Sequence, residues 1–116
     1  MAILQCLDTV RFGGFTAGLL RILATLEETA RSWIGPPDTV WITSGSDGQH
    51  KPGSQHYHLR AIDVRTKNFP THEAATKFYE TWQATLPSSQ FTLIWEDRKG
   101  PNQHWHCQVK RGTTYP

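Results

Sequence analysis

The sequence predicts a small α+β domain in which helices cover one face of an antiparallel sheet. Three observations lead to this fold class. At 116 residues the chain, residues 1–116, has the length of a single domain. Its 5 Trp, 5 Phe and 3 Tyr supply the bulk of one hydrophobic core. Helical and strand-like patterns follow one another in the order helix, strand, loop, strand, helix, strand, strand, which is typical of α+β folds.

Two segments have apolar side chains at the three- and four-residue spacing of an amphipathic helix. The first covers residues 15–34, with Thr16 as its N-cap and the breaker sequence at 35–37, Gly-Pro-Pro, as its end. The second covers roughly residues 72–86, with Thr71 as its N-cap. Apolar stripes of this kind are far more often core than cofactor site, so we assign both helices to the core.

Four segments have the β-branched, aromatic or alternating composition of strands, at residues 39–43, 61–65, 91–95 and 104–109. Residues 44–53 are rich in Gly, Ser, Asp, Gln and Pro and are predicted to form a loop. The last two strands are expected to be antiparallel neighbours. Because residues two apart on a strand share a face, His104 and His106 should point one way and Trp105 the other.

Charge and composition exclude several classes of function. The formal charge is +2 with no run of Lys or Arg, which does not match the basic footprint of a nucleic-acid-binding protein. No apolar stretch approaches the roughly 20 residues that span a bilayer, and no signal peptide is recognised. We expect a monomer that is made in the cytoplasm and does not insert into membranes. Cys6 and Cys107 form no CxxC pattern, and two free thiols are favoured over a disulfide bond.

Residues 54–63 and 104–106 contain the side chains that a borderline cation binds. Imidazole nitrogen and carboxylate oxygen are zinc ligands, and a catalytic zinc site leaves its fourth position for water. Asp63 lies between Ile62 and Val64, so a short strand would place this charge opposite two buried apolar residues. Charged side chains in such positions usually have a partner or a metal.

We therefore predict that His56, Asp63 and His106 bind zinc and that His104 is a catalytic partner beside it. The simpler alternative is a stacked aromatic strand without metal, and a lone His-x-His pair would favour it. The presence of His56 and Asp63 in addition favours the metal site. A nucleophilic role for Cys107 is a distant alternative, because strand alternation turns it away from the histidines.

The pattern Ser-x-His-x-x-x-x-Ala-x-Asp over residues 54–63, followed by His-x-His over 104–106, resembles a zinc peptidase superfamily. This superfamily contains the D-Ala-D-Ala carboxypeptidases and the phage L-alanyl-D-glutamate endopeptidases, and hedgehog signalling domains share its fold. The resemblance covers roughly residues 38–110. It implies a hedgehog-like fold and the same three zinc ligands, with His104 assisting the zinc-bound water.

The resemblance also implies supporting roles for other residues. Ser54 is the motif serine that supports the loop, and Arg60 occupies a position that is often basic in the family. The family's motif glycine is Leu59 here, and a leucine is strained if the loop keeps a positive φ. His58 then becomes a rival ligand or a substrate contact. Glu96 is favoured as a solvated turn residue over an orienter of a ligand histidine.

By this resemblance we expect a zinc peptidase that acts on peptidoglycan stem peptides. It would be either a D-Ala-D-Ala carboxypeptidase or an L-Ala-D-Glu type endopeptidase, such as a phage endolysin that a separate pore releases to the cell wall. The alternative is a binding or structural module that keeps the zinc site, as hedgehog-type domains do. His104 favours the enzyme, because a structural zinc site needs no spare histidine on its open side.

Overall fold

The computed structural model describes residues 1–47, 54, 56 and 59–113, which form five strands and two helices. In chain order, the elements are β1 (Ile3–Cys6), α1 (Ala17–Ser32), β2 (Thr39–Ser44), β3 (Ala61–Arg65), α2 (His72–Thr85), β4 (Phe91–Glu96) and β5 (His104–Val109). The strands make one mixed sheet in the order β1-β2-β3-β5-β4. The described residues therefore form one small α+β domain, as the sequence predicts.

The prediction of a purely antiparallel sheet is wrong at one edge. The pairs β2–β3, β3–β5 and β4–β5 are antiparallel, but β1 runs parallel to β2. Helix α1 lies between these two strands in the chain, and a crossover of this kind is what parallel neighbours require. Sequence analysis missed β1 because its four residues are mostly exposed and show no alternation. The sheet is consequently mixed rather than antiparallel.

Both helices begin at the predicted caps. Thr16 Oγ1 accepts a hydrogen bond from the Leu19 amide at 3.1 Å, and Thr71 Oγ1 accepts one from the Ala74 amide at 3.0 Å. These bonds satisfy amides that have no partner within the helix. Helix α1 ends at Ser32, because Trp33 already has an extended backbone. The predicted helices are confirmed with ends shifted by one or two residues.

The two helices pack on the same face of the sheet. The Phe78 ring of α2 stacks on the Trp105 ring of β5, with centroids 5.4 Å apart. The Trp82 indole donates a hydrogen bond to Thr25 Oγ1 of α1 at 3.1 Å, which joins the two helices. Trp105 and Cys107 are fully buried, as strand alternation predicts for β5. Cys6 is exposed and both thiols are free, so the prediction of two unpaired cysteines is confirmed.

The other face of the sheet carries the polar residues of the predicted site. Asp63 of β3 lies directly opposite His106 of β5 in the antiparallel register. The neighbouring pairs on the helix side join Ile62 to Cys107 and Val64 to Trp105, all of them buried. Among the described residues, no helix is long and apolar enough to cross a membrane.

Candidate metal centre

Two strands and a loop bring three predicted ligands together. The register of β3 and β5 places His106 Nδ1 at 2.9 Å from Asp63 Oδ1. His56 enters from the connection between β2 and β3, and its Nε2 lies 3.3 Å from Asp63 Oδ1. The same nitrogen is 3.2 Å from His106 Nδ1. Three ligand-type atoms from distant parts of the chain thus converge on one point.

The triangle formed by these atoms has nearly the size of one face of a tetrahedral zinc site. Zinc binds nitrogen and oxygen at about 2.0–2.1 Å, which places neighbouring ligand atoms about 3.3–3.4 Å apart. The observed separations are 2.9, 3.2 and 3.3 Å. His56, Asp63 and His106 therefore form a group that could hold a metal ion, after movements of a few tenths of an ångström.

Each histidine of the triangle has its second ring nitrogen fixed by an oxygen acceptor. His56 Nδ1 donates to the Gly45 carbonyl at 2.7 Å, and His106 Nε2 donates to Gln108 Oε1 at 2.7 Å. If both rings are neutral, His56 Nε2 and His106 Nδ1 carry no proton, and their lone pairs face each other beside a carboxylate. Such an arrangement requires a proton or a cation between the three atoms. Outer hydrogen bonds of this kind accompany metal-binding histidines generally.

The electrostatics of the metal-free triangle favour a proton in that place. Burial alone would raise the pKa of Asp63, but hydrogen bonds to His106 and His56 and their charges outweigh it and hold the pKa far below its usual range. Burial alone would lower the pKa of His106, but hydrogen bonds to Asp63 and Gln108 and the nearby carboxylates raise it overall. A metal ion would take the place of this proton.

The strand-to-loop turn after β2 holds His56 in place. An added Cβ at Gly45 would lie 2.6 Å from the Arg11 carbonyl oxygen, so only glycine fits there and presents its own carbonyl to His56. Ser54 Oγ accepts a hydrogen bond from the His56 amide at 3.1 Å. This contact holds the two loop residues together, and the supporting role that the motif resemblance implies for Ser54 stays a prediction.

Leu59 has the left-handed backbone that the missing motif glycine would adopt easily. Its φ is 60°, a conformation that costs a residue with a Cβ about 1–2 kcal/mol. Its amide donates to the His56 carbonyl at 3.1 Å, and its carbonyl accepts from Thr16 Oγ1 at 2.8 Å. The leucine side chain lies against Gly13 and Gly14. The ligand loop is therefore tied to the N-cap of α1 at a strained position.

His104 lies beside the triangle rather than in it. Its Nε2 is 3.9 Å from Asp63 Oδ1 and 3.5 Å from Glu96 Oε2, and its Nδ1 donates to the Asn102 carbonyl at 2.7 Å. Glu96 faces His104 across β4 and β5, so it is not merely a solvated turn residue. This partnership depends on the register of the two strands, which the sequence does not specify.

The remaining predicted site residues have different positions. Arg60 donates to the Thr113 carbonyl at 2.6 Å and so ties down the segment after β5. The role in substrate binding or support that the resemblance implies for Arg60 stays a prediction. His58 lies outside the described residues. Sequence analysis missed Gln108, although its spacing of two from His106 on an alternating strand places both side chains on one face.

A cavity of about 450 Å³ opens beside the triangle. Asp63 and His104 form part of its wall, together with the cationic side chains Arg65 and Lys67. The arrangement can hold one divalent ion on three ligands, with His104 and the cavity next to Asp63.

Comparisons with protein-family models, with curated proteins and with solved structures found no match to this chain. The geometry and the motif resemblance are therefore the basis of the functional assignment.

Proposed function

We propose that this protein is a zinc-dependent peptidase that cleaves peptide bonds in peptidoglycan stem peptides. The observation that supports it most is the triangle of His56, Asp63 and His106 with an open side next to His104. Three protein ligands with an open fourth position are typical of catalytic zinc, whereas structural zinc usually has four protein ligands. Two imidazoles and one carboxylate match the ligand preference of zinc.

When bound, zinc supplies a Lewis acid and lowers the pKa of a water molecule to about 7. The protein's own residues then provide proton transfer. His104 donates its Nδ1 proton to the Asn102 carbonyl, so its Nε2 is the atom that accepts a proton and later delivers it to the leaving amine. Glu96 Oε2 lies 3.5 Å from that nitrogen and forms an ion pair with the ring while it is protonated. His104 is therefore the proposed general base and acid.

Peptidoglycan as the substrate and release to the cell wall as the setting are proposed on the motif resemblance. The bond that is cleaved belongs either to a D-Ala-D-Ala terminus or to an internal L-Ala-D-Glu type link. The cavity next to Asp63 and His104 provides space for a peptide beside the triangle. A non-catalytic zinc module is the competing function. The His104→Ala variant separates the two, because His104 has a role in catalysis but none in a purely structural zinc site.

The test combines metal content with amine release from purified murein. We expect one zinc per wild-type chain, loss of zinc in His106→Ala, and release of new amino groups that a chelator abolishes. His104→Ala should keep zinc and lose about 10²–10⁴-fold in rate, which is the usual contribution of a general acid or base. Gln83→Ala, at an exposed position of α2 outside both cavities, is the control and should change neither quantity.

Two results would contradict the proposal in different ways. Zinc binding without amine release in the wild type would assign the chain to the binding-module class. Absence of zinc from the folded wild type, after reconstitution and with the control variant behaving identically, would overturn the metal site itself.

A further inference from the structure

We infer that the cavity beside the metal centre is a carboxylate-binding subsite, in which Arg65 and Lys67 bind an acidic group of the substrate. The inference depends on the proposed function, because it names the class of peptide that the same site takes. The class is an acidic peptide with a carboxylate close to the bond that is cleaved.

The position of Arg65 follows from the geometry of β3. Arg65 lies two residues after Asp63 and so shares its face of the sheet. In the β3–β5 register it lies directly opposite His104, and such cross-strand partners have Cβ atoms about 4.5–5.5 Å apart. Lys67 follows two residues later, and both cations line the cavity with Asp63 and His104. A carboxylate on Arg65 would therefore lie close to the proposed general base.

The two cations have no acidic partner of their own. Within residues 1–47, 54, 56 and 59–113, neither Arg65 nor Lys67 makes an ion pair. Asp63, the acidic side chain in the same wall, is engaged by the two imidazoles of the triangle. A half-buried guanidinium presents a planar fork that matches a carboxylate in two parallel hydrogen bonds. The charge of the cavity is thus available to an incoming anion.

A second cavity extends the basic surface away from His104. It has a volume of about 280 Å³ and shares Lys67 and Gln103 with the first. Lys99 and the first turn of α2, with Thr71 and His72, complete its wall. A helix N-terminus favours negative charge, which adds to that of the lysines. The two cavities together form a groove that suits a peptide with more than one carboxylate, such as a stem peptide with a free glutamyl carboxylate.

The test measures binding to the full chain by calorimetry after zinc has been removed with a chelator, so that the probes are not cleaved during the titration. The probes are the tetrapeptide L-alanyl-γ-D-glutamyl-L-lysyl-D-alanine and the same peptide with both carboxylates amidated. We expect the acid to bind about tenfold more tightly than the amide, in line with hydrogen bonds to charged groups. Arg65→Gln should reduce this ratio to below about threefold, and Lys67→Gln should reduce it less. Lys77→Gln, an exposed lysine of α2, is the control and should leave the ratio unchanged.

The ratio of acid to amide affinity distinguishes this inference from the proposed function. Equal affinity of the two probes for the wild type would overturn the subsite even if murein is cleaved. An unchanged ratio in both single variants, Arg65→Gln and Lys67→Gln, would overturn it as well. A protein that prefers the acid through Arg65 but does not cleave murein would support the subsite and contradict the peptidase. If Arg65→Gln fails to fold by circular dichroism, Arg65→Lys replaces it. We expect an acid-to-amide ratio of about threefold or less in that variant, because a lysine cannot make two parallel hydrogen bonds to a carboxylate. An unchanged ratio of about tenfold would contradict the bidentate contact.

Discussion

Gln108 offers the sharpest test of the proposed zinc site, because it would act on a bound ion only through the proposed ligand His106. Its Oε1 accepts the His106 Nε2 proton at 2.7 Å, which holds the ring with Nδ1 towards Asp63 and His56. Gln108→Leu removes the acceptor and keeps a side chain of similar size. Gln108→Glu keeps an acceptor and adds charge, which makes the ring a better ligand.

The expected loss can be scaled from similar outer contacts. Removal of a hydrogen bond that orients a metal-binding histidine typically costs 10- to 100-fold in affinity, which corresponds to about 1.4–2.7 kcal/mol. We expect Gln108→Leu to fall in this range, since the bond is short and His106 is only 12% exposed. Gln108→Glu should bind zinc at least as tightly as the wild type.

Competition with a chromophoric chelator at fixed pH gives the zinc dissociation constants. Gln83→Leu makes the same chemical change at an exposed position of α2, on the other side of the sheet, and should leave the constant unchanged. Urea unfolding of the metal-free variants separates lost affinity from lost stability. An unchanged constant in Gln108→Leu would refute the orienting role, and equal losses in the Leu and Glu variants would refute the tautomer assignment.

Three further predictions concern the loop and the charges of the triangle. Gly45→Ala should lower the free energy of unfolding by about 1–3 kcal/mol and weaken zinc binding, because the new Cβ meets the Arg11 carbonyl. Wild-type values in both urea unfolding and chelator competition would contradict this. Leu59→Val should lose about 1–2 kcal/mol in urea unfolding, since a β-branched residue tolerates φ of 60° poorly. Leu59→Gly should change stability by less than about 1 kcal/mol, because relief of strain is offset by greater freedom of the unfolded chain. Without metal, the lowered pKa of Asp63 gives stability that is present above about pH 4 and lost as the pH falls through the folded value. The raised pKa of His106 gives stability that is complete below about pH 6.5 and lost as the pH rises through its folded value. Chelator-treated protein should therefore be most stable between these limits, and a urea midpoint that still rises from pH 6.5 to 8.5 would disprove the pairing.

Local patterns were sufficient to predict most elements of the fold and the faces of the central strands. Alternation in β5 predicts that His106 and Trp105 point to opposite faces, and the structure confirms this with Trp105 fully buried. The same local rule extends to Gln108, which shares the face of His106. Helix caps at Thr16 and Thr71 are local as well, since their hydroxyls bond amides three residues away.

Long-range pairing is what the sequence could not supply. The contact between Asp63 and His106 spans 43 residues and depends on β3 being the neighbour of β5. The partnership of His104 with Glu96 depends on the β4–β5 register in the same way. Strand β1 has no local signal, because it is a short edge strand whose residues are mostly exposed and whose partner β2 lies beyond α1 in the chain. Only packing of the whole chain determines these contacts.

The direct opposition of Asp63 and His106 gives the sheet a property that its hydrophobic core alone lacks. A slip of β5 against β3 by one residue would turn Trp105 to the solvent and His106 into the core, which the loss of apolar burial makes unfavourable. A slip by two residues would return apolar side chains to the core face, and in one direction it would place Gln108 opposite Asp63 and His106 about 7 Å away. A bound ion would disfavour that alignment relative to the native one, so it would help to specify the strand register during folding.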